Sequence, residues 1–190
     1  MQEVVINYLI DGFQMYGFEK VMTHLVENYV LDNTCVSDQE QEKLKFRIEG
    51  FKKMARGKKV PDFELKNTEG VPLRLSALEK DYTLLVFWSS WCPHCADMMP
   101  GLNELYDEYG SKVEFVGVSV DNSRKDWLKA VEDKQVDWPN VAELKGWDGK
   151  TVTEYYVYAT PTLFLVDDEL GIIAKPGGLD ELSEELKKLE

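Results

Sequence analysis

The apolar run Leu84-Leu85-Val86-Phe87 leads straight into Trp88-Ser89-Ser90-Trp91-Cys92-Pro93-His94-Cys95. A run that continuous predicts a central strand covered on both faces. Residues 96–109 then carry a helical pattern. Two cysteines therefore sit where a strand passes into the first turn of a helix. Open backbone N–H groups at a helix N-terminus stabilise an anion, so they favour thiolate over thiol. The thiolate is the species that attacks disulfides. A spacing of three residues puts both sulfurs on one helix face, close enough to close a disulfide.

The flanking segments place this junction in an α/β layout. Residues 60–65 read as extended, because Pro61 biases its predecessor away from helix. Residues 67–70 make a turn and residues 71–75 return as a strand. Ser76 is expected to cap a short helical turn through Glu79. Pro100 lies within the helix after the cysteines and predicts a kink near Ala96. Residues 113–120 form the next buried strand, which completes a strand–helix–strand unit. Residues 121–123 cap a helix in which Trp127, Leu128 and Val131 face inward. Residues 136–142 read as a weak strand, residues 147–156 as a loop with a short helix, and residues 162–166 as a clear strand. Residues 167–171 turn that strand back into residues 172–175 as a hairpin. Leu179, Leu182, Leu186 and Leu189 mark an amphipathic final helix.

Ahead of this lies a helical stretch, residues 1–57. Val5, Leu9, Phe13 and Tyr16 make one apolar stripe; Phe18, Val21, Met22, Leu25, Val26 and Tyr29 make a second. Ser37 with Glu40 reads as a capping box for a third helix, with Leu44, Ile48, Phe51 and Ala55 on one face and Gly57 as its stop. The expected organisation is an N-terminal helical segment, 1–57, and a second domain, 58–190. His24 falls on the polar side of its stripe and reads as a solvated residue. The first residues, Met-Gln-Glu-Val-Val-Ile, lack the basic region and apolar block of a signal peptide. They read as helical at once, as expected of a piece of a longer chain.

Composition narrows the function. A formal charge of −13 over 190 residues repels phosphate backbones, so nucleic-acid binding is not expected. No apolar run approaches the roughly 18 residues of a membrane span. Three cysteines are too few for a disulfide scaffold, and Cys35 is left over from the pair. It reads as a small buried hydrophobe. His24, Cys35 and His94 do not form a zinc-ligand set, and Ala96 stands where haem attachment needs histidine. No metal or other cofactor is expected.

The residues themselves assign a division of labour. Cys92, nearer the helix end and expected to be exposed, attacks a substrate disulfide and gives a mixed disulfide. Cys95, one turn deeper, resolves it. His94 beside Cys92 adds stabilisation to its thiolate, which makes the disulfide more oxidising. Trp91 offers an apolar rim beside Cys92, and Trp88 belongs to the core.

Phe87-Trp88-x-x-Trp91-Cys92-x-x-Cys95, taken with the distant Ala159-Thr160-Pro161-Thr162, resembles the thioredoxin active site. Val60-Pro61-Asp62-Phe63 and Pro100 make the domain similar to the extracytoplasmic TlpA/ResA branch of thiol–disulfide oxidoreductases, within the AhpC/TSA–thioredoxin superfamily. The resemblance covers about residues 58–190. It implies a thioredoxin fold, a central mixed sheet flanked by helices. It also implies a cis peptide before Pro161, lying against the cysteines, with the backbone at Thr160 pairing to an extended substrate. The implied partners are protein thiols and disulfides and an upstream redox partner. The implied location is periplasmic or otherwise extracytoplasmic, in the bacterial envelope. Residues 1–57 are reminiscent of helical segments that precede this domain in some envelope-anchored members.

Three departures stand out. Thioredoxin's buried acid is replaced by Val86, and the glutamate of ResA-type proteins by Met98. The Pro93-His94 dipeptide resembles strongly oxidising DsbA-type proteins. Three other readings share the pattern. A peroxidase of the peroxiredoxin class has a similar Val-Pro-Asp-Phe segment, but needs threonine where Ser89 stands. A binding or chaperone module could use the fold without catalysis. A cytosolic thioredoxin equivalent is disfavoured by residues 1–57 and the Val60-Pro61-Asp62-Phe63 segment.

Overall fold

The computed structural model describes residues 38–189. The chain divides into two compact units between Ala55 and Arg56. In the first, helix α1 spans Asp38–Lys53, with Leu44 and Ile48 buried. It ends before Gly57, which is not its stop. Gly57 has φ +79° and donates its N–H to the Ile172 carbonyl at 2.8 Å. The stripes over residues 5–29, the Ser37 cap, His24 and Cys35 lie outside the described residues.

The second unit is built on one sheet. Its strands are β1 (Glu64–Asn67), β2 (Pro72–Arg74), β3 (Tyr82–Trp88), β4 (Val113–Ser119), β5 (Asn140–Ala142), β6 (Thr162–Asp167) and β7 (Ile172–Ala174), in the spatial order β2-β1-β5-β4-β3-β6-β7. β3 pairs parallel with β4 and antiparallel with β6. β4 pairs parallel with β5, while β1 and β7 add antiparallel outer strands. Every β3 residue from Thr83 to Trp88 is buried. That is the position expected of an unbroken apolar strand between two neighbours with both faces covered.

Helices α2 (Pro93–Tyr109), α3 (Arg124–Asp133), α4 (Lys150–Glu154) and α5 (Leu179–Lys187) flank this mixed sheet. α2 starts at Pro93, three residues ahead of the expected start, because proline suits the first turn, where its missing N–H costs nothing. The helix runs on through Pro100 to Tyr109. Its buried residues Cys95, Met99 and Leu102 fall on one stripe. α2 packs against α5, whose Leu182 and Leu186 are fully buried. Ser123 caps α3, accepting the Asp126 N–H at 3.3 Å.

Two local expectations need correction. Ser76 caps no helix. It sits inside a single 3-10 turn, Leu75–Ala77, and is engaged instead with Asp62, to which its hydroxyl donates at 2.7 Å and its N–H at 3.0 Å. The strand expected over 136–142 shrinks to Asn140–Ala142. Pro139 has no N–H for a ladder, and Val136 and Trp138 turn into the core instead.

One close approach fixes the β3–β4–β5 layer. Trp88 Nε1 donates to Asn140 Oδ1 at 2.9 Å, and Asn140 Nδ2 donates to the Trp138 carbonyl at 3.0 Å. Asn140 is almost fully buried. The bridge passes over Gly117 of β4, where a Cβ would collide with the Asn140 carboxamide and come within 2.9 Å of the Trp138 ring. Gly117→Ala is expected to destabilise the fold by about 1–3 kcal/mol, the usual cost of overpacking. Urea denaturation checks this, and an unchanged midpoint would contradict it.

Candidate active site

The loop from Ser89 to Cys92 leaves the C-terminal end of β3 and is anchored from β4. Trp88 stands opposite Ser119 in the parallel register, and Val120 N–H donates to the Trp88 carbonyl at 2.8 Å. Asp121, only 2 % exposed, accepts the Ser90 N–H at 3.0 Å, the Ser90 hydroxyl at 2.6 Å and the Ser119 hydroxyl at 2.8 Å. A buried carboxylate is tolerated only when its oxygens are satisfied in this way. Asp121 thus clamps the loop that presents Cys92.

Cys92 is the N-cap residue of α2. Its sulfur accepts the Cys95 N–H at 3.3 Å, the bond a capping oxygen would ordinarily receive. From the other side, Cys92 Sγ donates to the Thr160 carbonyl at 3.2 Å. Both cysteines are free thiols. Contrary to the expected exposure, Cys92 is buried at 5 % and Cys95 at 1 %. The cap geometry turns the Cys92 sulfur back toward the α2 backbone and the Thr160 carbonyl, rather than outward.

Their acidities split. Burial by itself raises Cys92. Hydrogen bonds from the Cys95 thiol, the Thr160 hydroxyl and the N–H groups of Cys95 and His94 outweigh that burial and hold Cys92 below an ordinary thiol. Cys95 is pushed up to about 12, first by burial and then by the hydrogen bond it gives Cys92. The Ser89 backbone and the Thr160 hydroxyl offset only part of this.

The antiparallel register of β3 and β6, Phe87 opposite Thr162, brings the segment before β6 to the cysteines. The Thr160–Pro161 peptide bond is cis. The Thr162 hydroxyl donates to the Ala159 carbonyl at 2.8 Å and closes the turn. Pro93 and His94 form the exposed first turn of α2. His94 reaches Cys92 through its backbone N–H. Trp91 is 56 % exposed beside Cys92.

Sequence reasoning missed three residues here. Asp121 read only as part of a helix cap, although Ser119 and Asp121 alternate at a strand end where a side chain can turn back on the loop. Ser89 read only as a replaced threonine; its hydroxyl lies 3.4 Å from Thr160 Oγ1. Trp147, left in a loop, sits on the 3-10 turn Gly146–Asp148 and meets Trp91 edge-on, with ring centroids 6.1 Å apart. Nothing local in the sequence signals that pairing. Among the described residues, no cluster of metal-ligating side chains forms, and no helix is long and apolar enough to cross a membrane.

Comparison with known proteins accords with this geometry. The AhpC/TSA family pattern matches residues 56–175. The chain is 33% identical over 141 residues to the thiol-disulfide oxidoreductase ResA of Bacillus thuringiensis subsp. konkukian, covering 72% of this chain and 80% of that protein. A thiol-disulfide oxidoreductase structure from Bacteroides fragilis superposes with a TM-score of 0.66 at 29% identity, over 70% of this chain and 100% of that one. The thioredoxin domain of a Bacteroides vulgatus thiol-disulfide oxidoreductase gives 0.65 at 31% identity, over 71% of this chain and 97% of that one.

The split in acidity is open to direct measurement. At neutral pH, iodoacetamide is expected to alkylate Cys92 and spare Cys95, since the alkylated species is the thiolate. Cys92 labelling should rise through a midpoint below that of a free thiol. Peptide mass mapping across pH reads both sites, and equal labelling of the two would contradict the split.

Proposed function

The chain belongs to the AhpC/TSA family, as a thioredoxin-like thiol–disulfide oxidoreductase of the TlpA/ResA type, and on that footing we propose that its Cys92-Pro93-His94-Cys95 pair exchanges disulfides with protein substrates in the bacterial cell envelope. One observation carries the reading: Cys92, held below the ordinary thiol range at a helix N-cap, lies against Cys95, pushed far above it. Such a pair attacks with the outer sulfur and resolves with the inner one.

Cys92 thiolate attacks one sulfur of a substrate disulfide. A mixed disulfide forms, and the other substrate sulfur leaves. Cys95 then attacks Cys92, closes the Cys92–Cys95 bond and releases the remaining substrate thiol. The substrate disulfide gains two electrons and the cysteine pair loses them. The reverse sequence donates a disulfide instead. The four donors that favour the Cys92 thiolate stabilise the reduced form, which raises the potential. The Pro93-His94 dipeptide at the head of α2 points the same way.

Thr160 and Pro161 form the substrate's backbone seat in this reading. The Thr160 carbonyl lies 3.2 Å from Cys92 Sγ, so an extended chain seated on that segment would bring its disulfide to Cys92. The exposed rings of Trp91 and Trp147, paired edge-on next to Cys92, offer apolar faces to side chains beside the substrate cysteine. An envelope location rests on the likeness to the TlpA/ResA branch, and an upstream redox partner follows from the need to reset the pair. The Ser89 hydroxyl is turned to Thr160, which counts against a peroxidase that would use it on Cys92.

Reduction of insulin by dithiothreitol, followed by turbidity, is expected to be accelerated by the protein and to fall to background in Cys92→Ser. Cys95→Ser is expected to accumulate a mixed disulfide at Cys92, visible by mass spectrometry. Full activity in Cys92→Ser would sink the assignment. Equilibration with glutathione buffers should give a potential above thioredoxin's about −270 mV, toward DsbA's about −120 mV.

A further inference from the structure

Exposed large apolar side chains are grouped in this chain. Among the described residues they are Val71, Trp91, Trp147 and Tyr158. The aromatic ones fall in the segments that meet at the cysteines. Trp91 precedes Cys92, Trp147 pairs with Trp91, and Tyr158 lies shortly ahead of Thr160, whose carbonyl touches Cys92. One such side chain alone in water is ordinary; a group of them marks a surface that meets a partner.

The turn that carries Trp147 is fixed at several points. Leu144 and Gly146 both stand at φ +59°, a conformation that glycine adopts freely and leucine rarely. The Asp148 N–H donates to the Lys145 carbonyl and the Gly149 N–H to the Gly146 carbonyl, each at 3.2 Å. On either side of the turn, Glu143 Oε2 accepts the Thr151 N–H at 2.9 Å. The turn also has a floor: a Cβ on Gly146 would come to 3.9 Å from both Asn122 Cβ and the Val120 carbonyl oxygen. Those two residues flank Asp121, which holds Ser90, the residue before Trp91. One segment, residues 120–122, therefore sets the places of both tryptophans.

The two rings meet with their planes 60° apart. An edge-on pair uses one edge and one face and leaves the other faces unstacked. Trp91 is 56 % exposed and Trp147 42 % exposed, so those faces are in water. They are set at an angle and fixed before any substrate arrives, which lowers the ordering cost of holding an inserted side chain. The rival influence is the charge of −13, which draws basic sequences.

We propose that Trp147 is the specificity-determining residue of the exchange reaction, and that with Trp91 it selects protein disulfides whose reactive cysteine has an aromatic or long aliphatic neighbour. The proposal rests on the reading of Cys92 and Cys95 as the redox pair. Trp91 adjoins Cys92 in the chain and meets every substrate. Trp147 comes from a separate turn and adds the second wall. An apolar neighbour of the substrate cysteine placed against both rings leaves water on two sides, which neither ring achieves alone.

The test uses symmetric disulfides of short blocked peptides with phenylalanine, serine or lysine on both sides of the cysteine. Each is mixed with the reduced full chain, the reaction is quenched in acid, and the Cys92–Cys95 disulfide is counted by mass spectrometry to give a second-order rate constant. Each constant is divided by that of dithiothreitol on the same peptide, which cancels the reactivity of the disulfide itself. The phenylalanine peptide is expected to react about tenfold faster than the serine peptide, the scale of one strong aromatic contact, and faster than the lysine peptide. In Trp147→Ala that ratio is expected to fall below about twofold, while Trp147→Phe keeps most of it. A merely structural role would slow all three peptides alike and leave the ratio where it was. A ratio near one in the wild-type chain, a lysine peptide that matches the phenylalanine peptide, or an undiminished ratio in Trp147→Ala would overturn the selection and leave the redox pair in place. A wild-type chain oxidised by none of the peptides would overturn the redox reading and the selection with it.

Discussion

The Cys92 sulfur stands in for the oxygen of a helix cap, and the chemistry of the site descends from that substitution. A cap accepts N–H groups that the first turn of a helix leaves unpaired. Here the acceptor is a group that ionises, so the bonds that finish α2 also favour its charged form. Burial opposes this at both cysteines. It loses at Cys92, where four donors converge, and wins at Cys95, which gives a hydrogen bond to its neighbour. Two identical side chains three residues apart thus become unlike in acidity through their surroundings alone.

That cap needs a rigid floor. β3, buried from Thr83 to Trp88, supplies it between β4 and β6. The parallel neighbour ends in Ser119 and hands Asp121 to the loop; the antiparallel neighbour begins at Thr162 and hands over Thr160. Both are aligned by ladder register and not by proximity in the chain. The Trp88–Asn140 bond ties the same strand to β5 across Gly117. The site is therefore set where the ends of three strands meet, and an error of register would remove Thr160 from Cys92 in one ladder or the Asp121 clamp from the loop in the other.

Among the described residues, no carboxylate acts on either sulfur of the pair. The sulfurs meet hydroxyl and amide groups, which hydrogen-bond to them but do not titrate at neutral pH. The buried acid that is present, Asp121, has become a clamp for the loop.

Much of the fold was legible because its signals are local. The apolar run of β3, the helical stripe of α2, the turn at Asp167 and the leucine spacing of α5 each fall within a window shorter than the element they describe. The cysteine pair was legible for the same reason, since its spacing and its place between strand and helix lie in one stretch of chain. Wrong readings came where a distant partner overruled a local preference. Ser76 turned to Asp62, Gly57 joined Ile172, Val136 and Trp138 entered the core beside Pro139, and Cys92 was covered although its segment looked open. By itself, then, the sequence determined which elements form and which two sulfurs stand together, because periodicity and spacing act over neighbouring residues. The tertiary structure alone decided what surrounds those sulfurs: Thr160 and Ser89 reach them, and Asp121 clamps the loop that carries them, through strand register and burial, and neither quantity exists until the sheet has closed.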